Sequence, residues 1–318
     1  MIQVSQVMEL YKKLQSWPLV SSFEEKFFIQ LFSFLEEEFP DLEIKKSGLN
    51  ILVFPKDKSK IKSKVLVAHY DEVGLIVDRQ ISFSRYRARI AGVLNFANLF
   101  GKVFETVFDG KRIRAICLTP PAHIEEFQKS IFLDLLEPLD IPANYPFSFQ
   151  NGVIETSTSY FGRAFDNRIG VAVSILAAKE FNFPVVLSCG EETGTTRFKK
   201  TLEEIEVSIP SPIYLVIDAT FSSSDPYCES ELSDGEVAFL VSEANGNGNV
   251  ASKTLVDSLP QLKQIMTYGK HDTTDASNLK NYAKKSVALV YPIGSMHSNF
   301  EKIEKTTISA LLNFIFQL

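Results

Sequence analysis

Two carboxylates stand side by side in Cys189-Gly190-Glu191-Glu192-Thr193-Gly194, directly after the apolar run Val185-Val186-Leu187. Adjacent acids at the end of a buried strand repel one another and resist desolvation, so they call for water or a cation. Comparable positions carry His69 and Asp71 after Val65 to Ala68, Asp166 at the head of a helical run, Asp218 after Ile213 to Ile217, and His297 in a late loop. Two imidazoles with several carboxylates make a borderline-hard donor set, suited to Zn, Co or Mn rather than to Ca. One ion cannot use so many donors. Two ions about 3.5 to 4 Å apart can share them if one carboxylate bridges and another group stays free as a base.

Singly, each piece has an ordinary structural reading. His69-Tyr70-Asp71 is also what a satisfied structural histidine looks like, with Asp71 fixing the tautomer of the ring. Asp166-Asn167-Arg168 is a common helix N-cap with a local ion pair, Glu191-Glu192 a solvated loop, and Asp218 a turn residue. The stretch from His297 to Glu301 reads equally as a helix N-terminus with nothing bound. What shifts the balance is their conjunction, because separate strand and loop ends carry matching donor types while the strands themselves are apolar. Gly-rich Asn245 to Asn249 lacks a P-loop lysine and any dinucleotide pattern, so it reads as a turn.

The elements that would position these groups follow from periodicity. Met8, Leu10, Tyr11 and Leu14 mark a first helix, and Ser22-Phe23-Glu24-Glu25 has the capping-box pattern of a second, running to about Glu38 before Pro40. Leu49 to Phe54 and Val65 to Ala68 read as strands, the second ending at His69. Functional groups of α/β sheets gather at such carboxyl ends. Short alternating segments and turns without helices then predict an inserted small β-barrel over residues 79–155. The remainder, residues 1–78 plus 156–318, is expected to be the catalytic α/β domain, a mixed sheet flanked by helices. Within it, Val171 to Phe181 is a helix, Ile213 to Ile217 and Val237 to Val241 are strands, and Ser252 to Met266 is a helix. Ser286 to Tyr291 is a strand, and Ile303 to Leu318 a closing amphipathic helix.

Composition limits the partners. Lys plus Arg is 33 against Asp plus Glu 39, a net charge of -6 with no basic stripe, which argues against nucleic acid. No apolar run approaches the roughly 18 residues of a membrane span, and a soluble, cytoplasmic chain without a membrane partner is expected. The three cysteines fit neither a disulfide framework nor a zinc knuckle. The 26 phenylalanines could fill a core or cover a subunit interface.

At motif level the chain resembles the M42 glutamyl-aminopeptidase family of dinuclear metallopeptidases. Ala68-His69-Tyr70-Asp71-Glu72-Val73-Gly74 is similar to its first ligand block, Ala164-Phe165-Asp166-Asn167-Arg168-Ile169-Gly170 to its bridging-aspartate block, and Glu191-Glu192-Thr193-Gly194 to its catalytic pair. Ile217-Asp218-Ala219-Thr220, Thr274-Asp275-Ala276 and His297-Ser298-Asn299-Phe300-Glu301 match the later blocks, and Ser22 to Glu25 and Pro120-Pro121-Ala122-His123 also resemble family positions. The long gap between His69 and Asp166 favours this family over the carboxypeptidase-like branch, whose extra domain falls in the later gap.

The resemblance implies a zinc-exopeptidase-like fold and two divalent ions, Zn or Co. It implies that Asp166 bridges, Glu192 and His297 complete one ion, and His69 and Asp218 the other. Glu191 is then the general base that takes the proton of the attacking water and returns it to the leaving amine. Asp71 belongs to the catalytic group, and Thr274 and Asp275 to substrate binding. Substrates would be short peptides with a free N-terminus, and the protein a homo-oligomer, up to a dodecamer. His271-Asp272-Thr273 replaces the usual Gly-Gly before Thr-Asp-Ala, so residue preference is not carried over. Thr195-Thr196-Arg197-Phe198-Lys199 lacks the small residues expected there. Alternatives are another amidohydrolase of the same clan, a glycosidase, or a non-catalytic metal-binding homologue.

Overall fold

Helix α1 (Val4–Leu14) buries Val7, Met8, Leu10, Tyr11 and Leu14 along one face. A 3-10 turn (Glu24–Lys26) precedes α2 (Phe28–Glu38), and a hairpin of β1 (Leu42–Ser47) and β2 (Asn50–Pro55) leads to β3 (Lys64–His69). Six strands follow: β4 (Gly74–Gln80), β5 (Arg85–Ala91), β6 (Val103–Phe108), β7 (Lys111–Cys117), β8 (Ile131–Leu135) and β9 (Pro146–Phe149). Next come β10 (Ile154–Glu155), β11 (Ser159–Gly162), α3 (Phe165–Phe181), β12 (Val185–Ser188), α4 (Lys199–Ser208) and β13 (Ile213–Phe221). The last part holds β14 (Ala238–Glu243), β15 (Gly248–Asn249), α5 (Lys253–Asp257), β16 (Lys263–Met266), α6 (Asp275–Leu279), β17 (Ser286–Ile293), β18 (Glu301–Glu304) and α7 (Lys305–Gln317). This computed structural model describes residues 2–118, 131–226, 230–243, 248–249, 251–266, 274–283 and 285–318. Pro120-Pro121-Ala122-His123, Cys228, most of Asn245 to Asn249, and His271-Asp272-Thr273 lie outside them.

Among the described residues, nine strands form one mixed sheet in the order β1-β2-β12-β3-β13-β17-β14-β15, with β16 beside β14. The inner strands β12, β3, β13 and β17 are mutually parallel, and β2 and β14 flank them antiparallel. Side chains alternate between two apolar layers, as a strand period of two requires. Leu66, Ala68, Val185, Leu187, Leu215 and Ile217 pack on α3, α1 and α7, while Val65, Val67, Val186, Tyr214 and Val216 pack on α4 and α6. Strands buried on both faces read as continuous apolar runs, which is why these were legible. Register then brings the functional ends together. Ser188 pairs with His69, and Val216 pairs with Val67, so Asp218 ends level with His69.

The second unit is a closed antiparallel barrel, β4-β5-β8-β7-β6-β9, with its own core around Leu75, Tyr86, Phe104, Leu133 and Phe147. Phe104 and Phe149 stack there at 4.6 Å, so part of the phenylalanine surplus fills a core. The mixed α/β sheet with an inserted barrel is the fold expected from the sequence.

Three local expectations fail for tertiary reasons. Ser22 does not cap a helix: its φ is +67°, and α2 begins only at Phe28. The segment is instead pinned to the end of β3, with Ser21 N–H donating to Glu72 O and Glu72 N–H to Leu19 O. Ser252 to Met266 is not one helix. Ser252 caps a short α5, the helix ends before Pro260, and Lys263–Met266 joins the sheet beside β14. Ile303 is likewise strand, because Glu301–Glu304 pairs with β11 before α7 starts at Lys305. No described helix is long and apolar enough to cross a membrane.

Candidate metal centre

His69 closes β3, and its ring is set from behind. Nδ1 lies 3.2 Å from the Asp71 main-chain oxygen. A proton on Nδ1 leaves Nε2 bare, 3.0 Å from Asp166 Oδ1 and 3.4 Å from Asp218 Oδ1. The Asp71 carboxylate does something else: it accepts the N–H of Glu191 at 3.3 Å and of Glu192 at 3.2 Å. It therefore fixes the backbone of the acidic pair to the end of the neighbouring strand.

Asp166 opens α3, following Ala164 in the left-handed region and preceding a cis peptide bond to Asn167. Asn167 Nδ2 donates to Ile217 O at 2.6 Å, tying the helix start to β13. A Cβ on Gly170 would fall 2.1 Å from Asn167 Oδ1, which explains the glycine one turn along. Glu301 completes the frame. Its Oε2 accepts the N–H of Phe165 at 2.6 Å and of Asp166 at 3.3 Å, and its Oε1 accepts the N–H of His297 at 2.8 Å. One buried carboxylate thus couples the helix start to the loop that presents His297.

Two donor groups result. His69, Asp166 and Asp218 offer atoms all within 4.8 Å of one another, and so do Asp166, Glu192 and His297. Asp166 belongs to both. Glu191 belongs to neither, yet lines the same cavity of about 510 Å³, as does Thr274. Asp275 sits behind it, accepting from Ser188 Oγ at 2.5 Å. His297 Nε2 approaches Glu192 Oε2 at 3.1 Å and Asp166 Oδ2 at 3.4 Å without forming a hydrogen bond. Glu192 Oε1 is also buried without a hydrogen-bond partner. Such atoms suit a cation, since buried polar groups otherwise find partners.

The electrostatics agree. Burial pushes the Glu191 carboxyl well above the usual carboxylate range, with His69 opposing and Asp218, Asp275 and Glu192 adding to the rise. Glu192 is raised too, by burial against the pull of His297. Burial lifts Asp218 to about 7, although His69 opposes it. Asp166 is the exception: burial is outweighed by His297 and His69, which hold it far below the usual value. Burial disfavours charge on His69 and His297, but the carboxylates around each raise both rings well above an ordinary imidazole. Three carboxyls thus resist ionisation where they are buried together, and a divalent cation among them would favour their charged forms.

The seven donor and base residues singled out in the sequence converge here. Sequence reasoning did not see the frame around them: Glu301, and a buried cluster in which Glu72 accepts from Arg163 at 3.0 Å and Arg168 at 2.9 Å.

Fold and site together define a class, a mixed α/β sheet with a barrel inserted after the first donor strand and two donor groups sharing one aspartate. The family model described as M42 glutamyl aminopeptidase matches residues 134–314, more than half of the chain, and the chain belongs to this peptidase family. Three solved structures share the fold. Aminopeptidase APDkam598 from the archaeon Desulfurococcus kamchatkensis is 23% identical with a TM-score of 0.79, over 99% of this chain and 95% of that one. A TET aminopeptidase from the marine sediment archaeon Thaumarchaeota archaeon SCGC AB-539-E09 is 18% identical with a TM-score of 0.78, over 98% and 96%. The Pyrococcus horikoshii TET1 peptidase, which can assemble into a tetrahedron or a large octahedral shell, is 20% identical with a TM-score of 0.74, over 97% and 98%. No curated protein matches the chain.

Proposed function

We propose that the protein is an exo-aminopeptidase dependent on two divalent ions, Zn or Co, that releases N-terminal residues from short peptides. The observation that carries this is the pair of donor groups sharing Asp166, with Glu191 outside both and facing the same cavity. His69 and Asp218 would hold one ion, Glu192 and His297 the other, and Asp166 both. When bound, the ions supply Lewis acidity, acidifying a water and polarising the scissile carbonyl. Glu191 takes the proton of the attacking water and returns it to the leaving amine. Asp71 holds Glu191 and Glu192 through their N–H groups, so that the base and the donor keep fixed, different directions. Thr274 lines the cavity and is assigned to substrate binding, as is Asp275, which is held behind it by Ser188.

Residues 1–78 plus 156–318 would act as the catalytic domain and 79–155 as the barrel domain, with β4 carrying the barrel back to Gly74. Assembly into a homo-oligomer, up to a dodecamer, and a cytoplasmic location accompany this reading, the former supported by the assemblies named for its structural relatives. A glycosidase would need two carboxyls about 5 to 9.5 Å apart flanking a sugar, whereas these acids crowd imidazoles within 4.8 Å. A metal-binding protein without activity would have no use for Glu191 in the cavity.

The test is the full-length chain loaded with Zn or Co and assayed on short peptides, beside Glu191→Gln. The variant should keep two equivalents of metal while kcat falls by about 10²–10⁴-fold. Retained turnover in the variant, or activity that survives chelation, would sink the mechanism.

A further inference from the structure

Behind the Glu191–Glu192 loop lies a second cavity, of about 1070 Å³, which shares none of its described lining residues with the cavity at the donor groups. The loop runs between the two. Glu191, Glu192, Thr193 and Gly194 line the first, and Cys189, Gly190 and Thr195 line the second. Asn50, at the start of β2, holds the second cavity in shape. Its Nδ2 donates to Arg197 O at 3.0 Å and to Thr201 Oγ1 at 2.9 Å, and its Oδ1 accepts the N–H of Cys189 at 3.2 Å. Thr201 in turn donates to Ser47 Oγ at 3.1 Å. The start of α4 and the end of β12 are thereby fixed to the β1–β2 hairpin by buried contacts.

The wall carries charge of both signs. Glu24 is 2% exposed, and its Oε1 is buried without a hydrogen-bond partner among the described residues. Burial and the charge of Asp71 push this carboxyl up to about 8. A buried carboxyl in that condition is short of a cationic donor. Arg197, Lys199 and Lys200 stand exposed around the start of α4, whose N-cap residue, Phe198, offers no side-chain acceptor to the first-turn N–H groups. Glu204 lies 3.6 Å from Lys200, and Glu203 is the other acid of the wall. Cations at a helix start favour an anion. A simple anion would leave Glu24 unmatched, and a simple amine would leave the cations so.

We propose that this cavity binds a small zwitterion, a free amino acid or a dipeptide, with its ammonium group on Glu24 and its carboxylate at the start of α4 beside Arg197 and Lys199. The ammonium takes the place of the proton that burial holds on Glu24, and that proton leaves to solvent. Charge-assisted bonds at both ends give such a ligand more than either end gives alone. Products of the reaction proposed above belong to this class, but the site does not depend on that reading.

Full-length protein loaded with Zn should be titrated calorimetrically with glycine. The same protein after chelation, which stops metal-dependent turnover, should be titrated with glycine, glycylglycine, ethylamine and acetate. Glycine or glycylglycine should bind with a Kd of about 1 mM or below, and the tighter of the two tells an amino-acid site from a peptide site. Ethylamine and acetate carry one charge each and should bind at least about tenfold more weakly. Glu24→Gln should weaken the zwitterion at least about tenfold, and so should Arg197→Gln combined with Lys199→Met at exposed positions that spare the fold. Binding that needs Zn, that survives both sets of substitutions, or that one charge alone reproduces overturns the site, as does the lack of any binding at millimolar concentration. Peptide turnover by the Zn-loaded protein is a separate measurement, so the aminopeptidase reading stands or falls apart from this one.

Discussion

Glu24 shows how much a single buried acid can reveal about the frame behind the site. It is 2% exposed, and its Oε1 has no hydrogen-bond partner. Burial and the charge of Asp71 lift its pKa from 4.5 to about 8, although backbone N–H groups of Glu24, Ser22 and Gly190 favour the ionised form. The sign of the linkage follows. Between pH 4.5 and 8 the unfolded chain has lost this proton while the folded chain keeps it, so the folded state binds more protons and stability falls as pH rises. Stability from this group is fully present below pH 4.5 and lost by about pH 8. Glu24→Gln removes the dependence, so its stability relative to the native sequence should climb by up to about 1.4 kcal/mol per pH unit across that window. Urea unfolding of both proteins at pH 5, 6.5 and 8 measures it, and parallel curves would show that Glu24 ionises freely in the fold. At this scale the sequence showed the donors and hid their supports. His69, Asp166, Glu192, Asp218 and His297 announce themselves by type and by position after apolar runs. Glu301 and the carboxylate of Asp71 act on backbone N–H groups, and a backbone partner leaves no mark in a sequence.

Among elements, the group most exposed to loss is the Glu72 cluster. Glu72 follows β3, and its carboxylate takes Arg163 from the β11 to α3 connection and Arg168 from the first turn of α3. Arg163 also donates to Ser148 Oγ in β9 and to Gln15 O at 2.8 Å, and Arg168 donates to Leu14 O and Trp17 O. One ionic cluster therefore fastens the end of α1, the exit of β3, the entry of α3 and a barrel strand. Removing the acid would leave two buried guanidiniums facing each other, and breaking a buried pair in this way costs about 3–5 kcal/mol. Glu72→Ala should lose that much in urea unfolding, while a loss below about 1 kcal/mol would mean the arginines find water or another partner. The same contacts explain where element reading failed. Ser22 to Glu25 has a cap signature, but Leu19 to Ser21 is drawn into pairing beside Glu72, and local propensity yields to that bridge. Lys263–Met266 and Glu301–Glu304 are short segments whose strand character comes wholly from neighbours distant in sequence. The central strands needed no such help, because apolar runs buried on both faces carry their own signal.

For the whole molecule, the site lies where four regions of the chain must stay assembled: the parallel sheet edge, the start of α3, the β17 to β18 loop, and the barrel that brings Val93 to the cavity. Its donors come from residues 69 to 297, so only the folded chain presents them together. An ion that binds the native state and not the unfolded chain adds RT ln(1 + [L]/Kd), about 2.7 kcal/mol at a hundredfold excess over Kd. For a chain of 318 residues, that raises the melting temperature by about 4 °C. Metal should therefore stabilise the full protein far beyond the site itself, and chelation should lower the melting temperature with no change in net composition. Refilling distinguishes the two donor groups. If both bind, the melting temperature recovers over two equivalents of Zn or Co, and Asp166→Asn weakens both steps because both groups depend on that carboxylate. His297→Ala should weaken only one step, leaving the group of His69, Asp166 and Asp218 to recover part of the shift. Calorimetric melting with stepwise metal addition reads all three proteins. A single-equivalent recovery in the native sequence, or an Asp166→Asn protein that refills like the native one, would show that the two donor groups do not act as a shared centre.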